Sequence, residues 1–229
     1  MTFRNIILVL SIFTVGFGVF AATGHYEQKD NSQEPKSDHK KLVEAIRRGG
    51  LREAAKIKRH YVTTAEAAWD WSRFDLESLT RTSSAVVIGS PVDSSVRLSA
   101  SGETITTEYN FRIKDVLKGS VEGIVKVGLL GGKIEFEDGT SAEVQTPGFE
   151  KMTVGKAYIL FLYANKNGSN VFLITGGDQG LFEITDSRLK SHAKSSDIVA
   201  KEARNKMLED FLNQVRFFVS NAKADGCCQ

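Results

Sequence analysis

The chain has 229 residues, 41% hydrophobic and 25% charged, with three prolines, an ordinary globular composition sufficient for one good core plus accessories. A formal net charge of +2 is too near zero to mark a nucleic-acid binder. Across residues 83–186 acidic side chains outnumber basic ones, so that region would repel phosphate.

The N-terminus carries the clearest functional signal. MTFRN holds one charged side chain, and IILVLSIFTVGFGVFAA follows with none. A short basic region, an apolar run and small residues at its end form the pattern of a general secretory signal, with cleavage expected after Ala21. No cysteine stands near that point for lipid attachment, and no Arg-Arg pair precedes the run. An uncleaved anchor is the alternative, since roughly seventeen apolar residues reach the lower limit for spanning a bilayer. Gly16 and Gly18 weaken a spanning helix. Residues 1–21 are therefore read as a signal peptide, and the remainder as periplasmic or secreted.

Residues 22–40 are polar and read as a flexible linker. Residues 41–80 are expected to be helical, broken at Gly49-Gly50, with a last turn at DLESL. Arg47, Arg48, Lys56 and Arg59 give this segment a basic character that suits an anionic lipid surface if the N-terminus stays uncleaved.

From Ser83 to Asp186 the texture becomes that of a β-domain. SSAVVIGSPV reads as a strand followed by a polar loop at 93–102. ITTEYNFRIK then alternates strictly, with Ile105, Thr107, Tyr109, Phe111 and Ile113 on one face and Thr106, Glu108, Asn110, Arg112 and Lys114 on the other. IVKVGLL is a further strand, and KIEFEDGTSAEV a hairpin turning at Asp138-Gly139. KAYILFLY is apolar on both sides and reads as a central strand. Asn167-Gly168 turns the chain into VFLIT, and GLFEIT closes the set. From Lys190 the chain returns to helix, capped at Ser195 or Ser196. Val199, Ala203, Met207, Phe211, Val215 and Phe218 form an apolar stripe along 190–223. The expected fold is α+β: a small antiparallel OB-like β-barrel flanked by N-terminal helices and a C-terminal amphipathic helix.

The sequence offers little recognisable catalytic machinery. His25, His39, His60 and His192 all lie outside the expected β-domain of 83–186, and Cys227 and Cys228 sit together at the C-terminus. Adjacent cysteines rarely pair with each other, which leaves an intermolecular disulfide or an inert thiol. No G-x-S-x-G, HExxH or paired CxxC is present, so neither a hydrolase nor a cofactor is expected. GLLGGK and YANKNG fall short of a phosphate loop and a calcium loop, because Ile134, Tyr163 and Ile174 stand where ligands belong. TGGDQG, with Asp178 and Gln179 among three glycines, reads as a chain reversal or as a ligand loop. Trp69 and Trp71 cannot share one helical face, so one of them is a candidate contact anchor.

DLESLTRTSSAVVIGSPV, EYNFRIKDVLKGS and KMTVGKAYILFLY together resemble the tissue-inhibitor-of-metalloproteinases or netrin-like module over about residues 75–184. Val116, Leu117, Lys118 and Gly119 match its strand-ending turn, and Gly155, Tyr158, Ile159 and Leu160 match a later strand. The resemblance implies an OB-type five-stranded barrel that acts by binding. The animal inhibitors ligate a protease zinc through an N-terminal cysteine and carry several disulfides. This chain has neither feature, so that inhibitory route does not carry over. The expectation is an exported, non-catalytic module that binds an envelope or secreted protein and no nucleic acid. The alternative is a small-ligand binder or enzyme at Asp178 and Gln179, with His60 brought in as a base.

Overall fold

A computed structural model describes residues 36–65, 73–146, 150–164, 170–204 and 206–224. The fold is α+β, built on a mostly antiparallel seven-stranded sheet, a three-stranded sheet and a few helices.

Helix α1, Lys36–Lys58, is broken at Gly49 and Gly50, as the paired glycines predict. Gly50 has φ 69° and ψ −154°, a conformation reserved for glycine, and the break lets the Leu51 N–H donate to the Gly102 carbonyl at 2.7 Å. The expected linker is thus helical from Lys36. The expected helical run of 41–80 is also interrupted: His60–Thr64 form strand β1, which pairs in parallel with β6, Ser141–Gln145. Val62, Thr63 and Thr64 are β-branched, and pairing satisfies their backbone better than another helical turn. Strand β5, Gly132–Glu135, completes the order β1-β6-β5. Helix α1 packs on this sheet through Leu51 and Ala55, against Ile105, Phe136, Ala142 and Val144.

Helix α2, Leu76–Thr82, starts at a capping box in which the Asp75 carboxylate accepts from the Ser78 N–H at 2.7 Å. Four long or central strands follow the predicted order: β2 (Ala85–Leu98), β3 (Ile105–Lys118), β4 (Ile124–Leu130) and β7 (Ala157–Ala164). β8 (Val171–Ile174), β9 (Leu181–Thr185) and β10 (Arg188–Ser191) complete the order β10-β9-β7-β2-β3-β4-β8. β8 also pairs with β7, antiparallel, while its pairing with β4 is parallel.

Three expectations change here. The polar loop at 93–102 shortens, because β2 continues to Leu98 as an exposed ribbon in register with β3. The charged side chains face water while the backbone stays paired, which polarity alone could not disclose. Residues 188–191 are strand rather than the onset of a helix, held against β9. The C-terminal helix is two helices, α3 (Ile198–Ala203), whose N-cap position is Asp197 rather than Ser195 or Ser196 and makes no side-chain cap bond, and α4 (Leu208–Ala224). The chain breaks between them because the Leu208 N–H donates to Ser187 O and Met207 bridges Arg188, leaving Met207 exposed.

The alternation of β3 holds: Ile105, Thr107, Tyr109 and Phe111 are buried, while Glu108 faces Arg97 at 2.9 Å. Ile105 joins the core under α1, and Tyr109 and Phe111 join Val87, Leu160 and Leu162 inside the curved sheet. The other face of β7, through Ile159 and Phe161, meets Leu76, Leu79, Phe182, Phe211 and Val215 from the helices and β9. β7 is therefore buried on both faces, as its unbroken apolar run predicts.

Candidate functional site

Of the expected site residues, Asp178, Gln179 and His60 are described, and the structure does not bring His60 to the other two. Trp69, Trp71, Ala21, Cys227 and Cys228 lie outside the described residues. Asp178 and Gln179 sit in a short 3-10 turn, Gly177–Gly180, only 5% and 4% exposed. Gly176 and Gly177 adopt φ 66° and 62°, and the Gln179 side-chain carbonyl accepts the Phe74 N–H at 3.0 Å. This turn ties the entry of α2 to the sheet, and the chain reversal is the reading its geometry favours. His60 is not delivered to it. Its Nδ1 lies 2.6 Å from Ser141 Oγ, its register partner across β1 and β6. Among the described residues no carboxylate lies within ion-pair distance of His60, so this pair lacks the third group of a relay. Nor do the described residues hold a group of three or more metal-ligating side chains.

The structure instead opens a cavity of about 210 Å³ where the two sheets separate. Alternation along β3 sends Thr107 and Tyr109 into it. Gly131 and Gly132, at φ 102° and 143°, carry the chain from β4 into β5 and form part of the wall. A Cβ on Gly132 would stand 2.7 Å from Thr107 Oγ1, so the wall at that point admits no side chain. Thr107 Oγ1 donates to the Gly131 carbonyl at 2.7 Å, and Thr146 Oγ1 donates to Leu130 O at 3.1 Å. Lys151 and Glu143 supply charge to the lining.

Lys151 belongs to a segment, 150–156, that straps this end of the curved sheet. Met152 is buried in the core beside Tyr109. Burial pushes the Tyr109 hydroxyl up, opposed by a hydrogen bond from the Met152 backbone. The Thr153 N–H donates to the Tyr158 hydroxyl at 2.8 Å, and the Gly155 N–H donates to Pro91 O at 2.9 Å. At the segment's ends, Glu150 accepts from Lys190 Nζ and Lys156 Nζ donates to Glu183, both at 2.6 Å.

Between those two ion pairs lies His192, its side chain only 1% exposed and both ring nitrogens without a hydrogen-bond partner. Nδ1 is 3.7 Å from Glu150 and Nε2 is 3.8 Å from Glu183, too long for hydrogen bonds. Burial lowers the His192 pKa, aided by Lys190 and Lys156 and opposed by Glu150 and Glu183. No sequence motif marks His192, which follows a polar hairpin. Glu183 offered the one available signal: a carboxylate inside the apolar run LFEIT has to find a partner once buried.

No protein-family model matches the chain, and no curated protein matches it.

Proposed function

We propose that the chain is an exported, non-catalytic binding module built on an OB-type barrel, which receives part of another envelope or secreted protein at the cavity between its sheets. The barrel reading is supported by the circuit of pairings β7-β2-β3-β4-β8-β7, with β4 and β8 parallel, and by the netrin-like pieces at 75–184. Export is supported by the apolar run before Ala21.

The observation that carries the binding reading is the cavity itself. At about 210 Å³ it is smaller than the ~300–1,000 Å³ common for small-molecule sites and suits an inserted side chain. Its lining combines hydroxyls, backbone and two opposite charges, a mixture that orients a guest rather than activates a nucleophile. The alternative at Asp178 and Gln179 has less support, because both side chains are buried and Gln179 is engaged by Phe74.

Affinity capture with tagged protein beginning at Ala22, from native envelope and secreted fractions, tests the reading. One partner retained by the wild type and lost on Lys151→Glu is the expected result. A partner lost only on Trp69→Ala and Trp71→Ala would move the contact to those tryptophans, and specific capture of nothing would overturn the reading.

A further inference from the structure

We propose that His192 is a proton-operated latch: its uptake of a proton releases segment 150–156 from the sheet and opens the cavity beside Lys151. The proposal rests on the cavity being the binding site and adds a regulation to it.

His192 is sealed at the junction of four groups of residues. Glu150 and Lys156 face it from the segment, Glu183 from β9, Lys190 from β10 and Tyr158 from β7, whose ring centroid lies 6.2 Å away. Both carboxylates are already committed, Glu150 to Lys190 and Glu183 to Lys156, each at 2.6 Å. Neither reaches the imidazole, and the two ammonium groups sit in the same cluster. A proton placed on His192 in this arrangement gains a charge with no hydrogen-bond acceptor in range.

The neutral ring carries only the smaller cost of an unpaired N–H and an unpaired acceptor nitrogen. A buried base of this kind is protonated at lower cost once its cover lifts and water reaches it. The removable cover is the segment, because its two ends make the ion pairs that close over the ring, whereas β7, β9 and β10 are held by ladders. Acid therefore favours the lifted state, in proportion to the proton that state binds in excess. Met152 and Lys151 lie between those ends, so lifting the segment removes a core side chain from beside Tyr109 and one wall of the cavity. Each unit by which burial lowers the pKa of the ring permits up to about a tenfold increase in the lifted population.

Amide hydrogen exchange of the full chain from Ala22 tests this, with rates for 150–156 corrected for the intrinsic pH effect and compared at pH 7.5 and 5.5. The wild type is expected to lose protection there severalfold on acidification, while β2 and β3 keep theirs. In His192→Phe and His192→Gln the protection of 150–156 is expected not to change with pH. Equal acid sensitivity in the wild type and both variants overturns the proposal, as does a wild type that keeps full protection at pH 5.5. Loss of protection throughout the chain would assign the effect to global unfolding and overturn it also. The readout needs no ligand, so failure to capture a partner and failure of the latch are separate results.

Discussion

Gly50→Ala probes the contact by which α1 closes over the three-stranded sheet. Gly50 holds φ 69° and ψ −154°, where a side chain costs about 1–3 kcal/mol. The added Cβ would stand 2.2 Å from the Gly102 carbonyl oxygen, more than an ångström inside ordinary contact, and the obstacle is backbone. Moving that turn breaks the Leu51 N–H bond to Gly102, a further loss of about 0.5–1.5 kcal/mol. The expected total is about 2–4 kcal/mol. Gly49→Ala is the comparison: its φ is negative, although ψ 23° lies off the favoured β and α regions, and its Cβ meets the movable Glu53 side chain rather than backbone, so a smaller cost than for Gly50→Ala is expected. In urea, with a slope of about 1–3 kcal/mol per molar, the Gly50→Ala midpoint should fall by roughly 1–2 M. Equal midpoints for the two variants would refute the assignment of Gly50 to a close backbone approach.

Phe111→Ala empties a fully buried position packed over Gly89 and should cost about 3–5 kcal/mol by thermal melting. Gln179→Leu orphans the Phe74 N–H and should cost about 1–3 kcal/mol, read by denaturant unfolding; no change would return Asp178 and Gln179 to the ligand-loop reading. Asp75→Ala removes the α2 cap for about 1 kcal/mol. The hydrogen bonds from Ser78 hold the Asp75 carboxyl below 3.8, so the stability it gives is complete above that value and fades as pH falls through the lower folded-state pKa. His192 works in a higher window. Burial sets its pKa below 6.5, the unfolded chain binds the proton more readily, and stability falls as pH drops below about 6.5 until the folded-state pKa is reached. His192→Phe should flatten that slope between pH 7.5 and 5.5, as measured by unfolding midpoints at each pH.

The strand identities of β3, β4 and β7 were legible because period-two alternation and the unbroken run YILFL each have one backbone solution. The break at Gly49-Gly50 and the turn at Asp138-Gly139 were legible for a similar reason, since glycine is needed where φ turns positive. β1 and β10 were not. HYVTT and RLKS are short and half exposed, and only partners distant in sequence, β6 and β9, make them strands. The two-part C-terminal helix escaped notice because its apolar stripe runs on through Met207, while the interruption is caused by Ser187 and Arg188. The cavity and the His192 cluster gather residues from β3, β6, β7, β9, β10 and the segment 150–156, an assembly that no local spacing announces.

β7 pairs with β2, β8 and β9, and these contacts set an order of events for a chain emerging from its N-terminal end. β2 and β3 can zip together as a hairpin as soon as residue 118 is available, since only a short turn separates them. The opposite edge of β2, Ala85 to Gly89, must then wait for Tyr158 to Leu162, about forty residues further on in synthesis. During that interval an apolar strand edge, AVVIG, stands open to any other strand that meets it. A chain truncated before residue 157 would keep that edge permanently, and would be expected to aggregate rather than persist as a smaller folded unit.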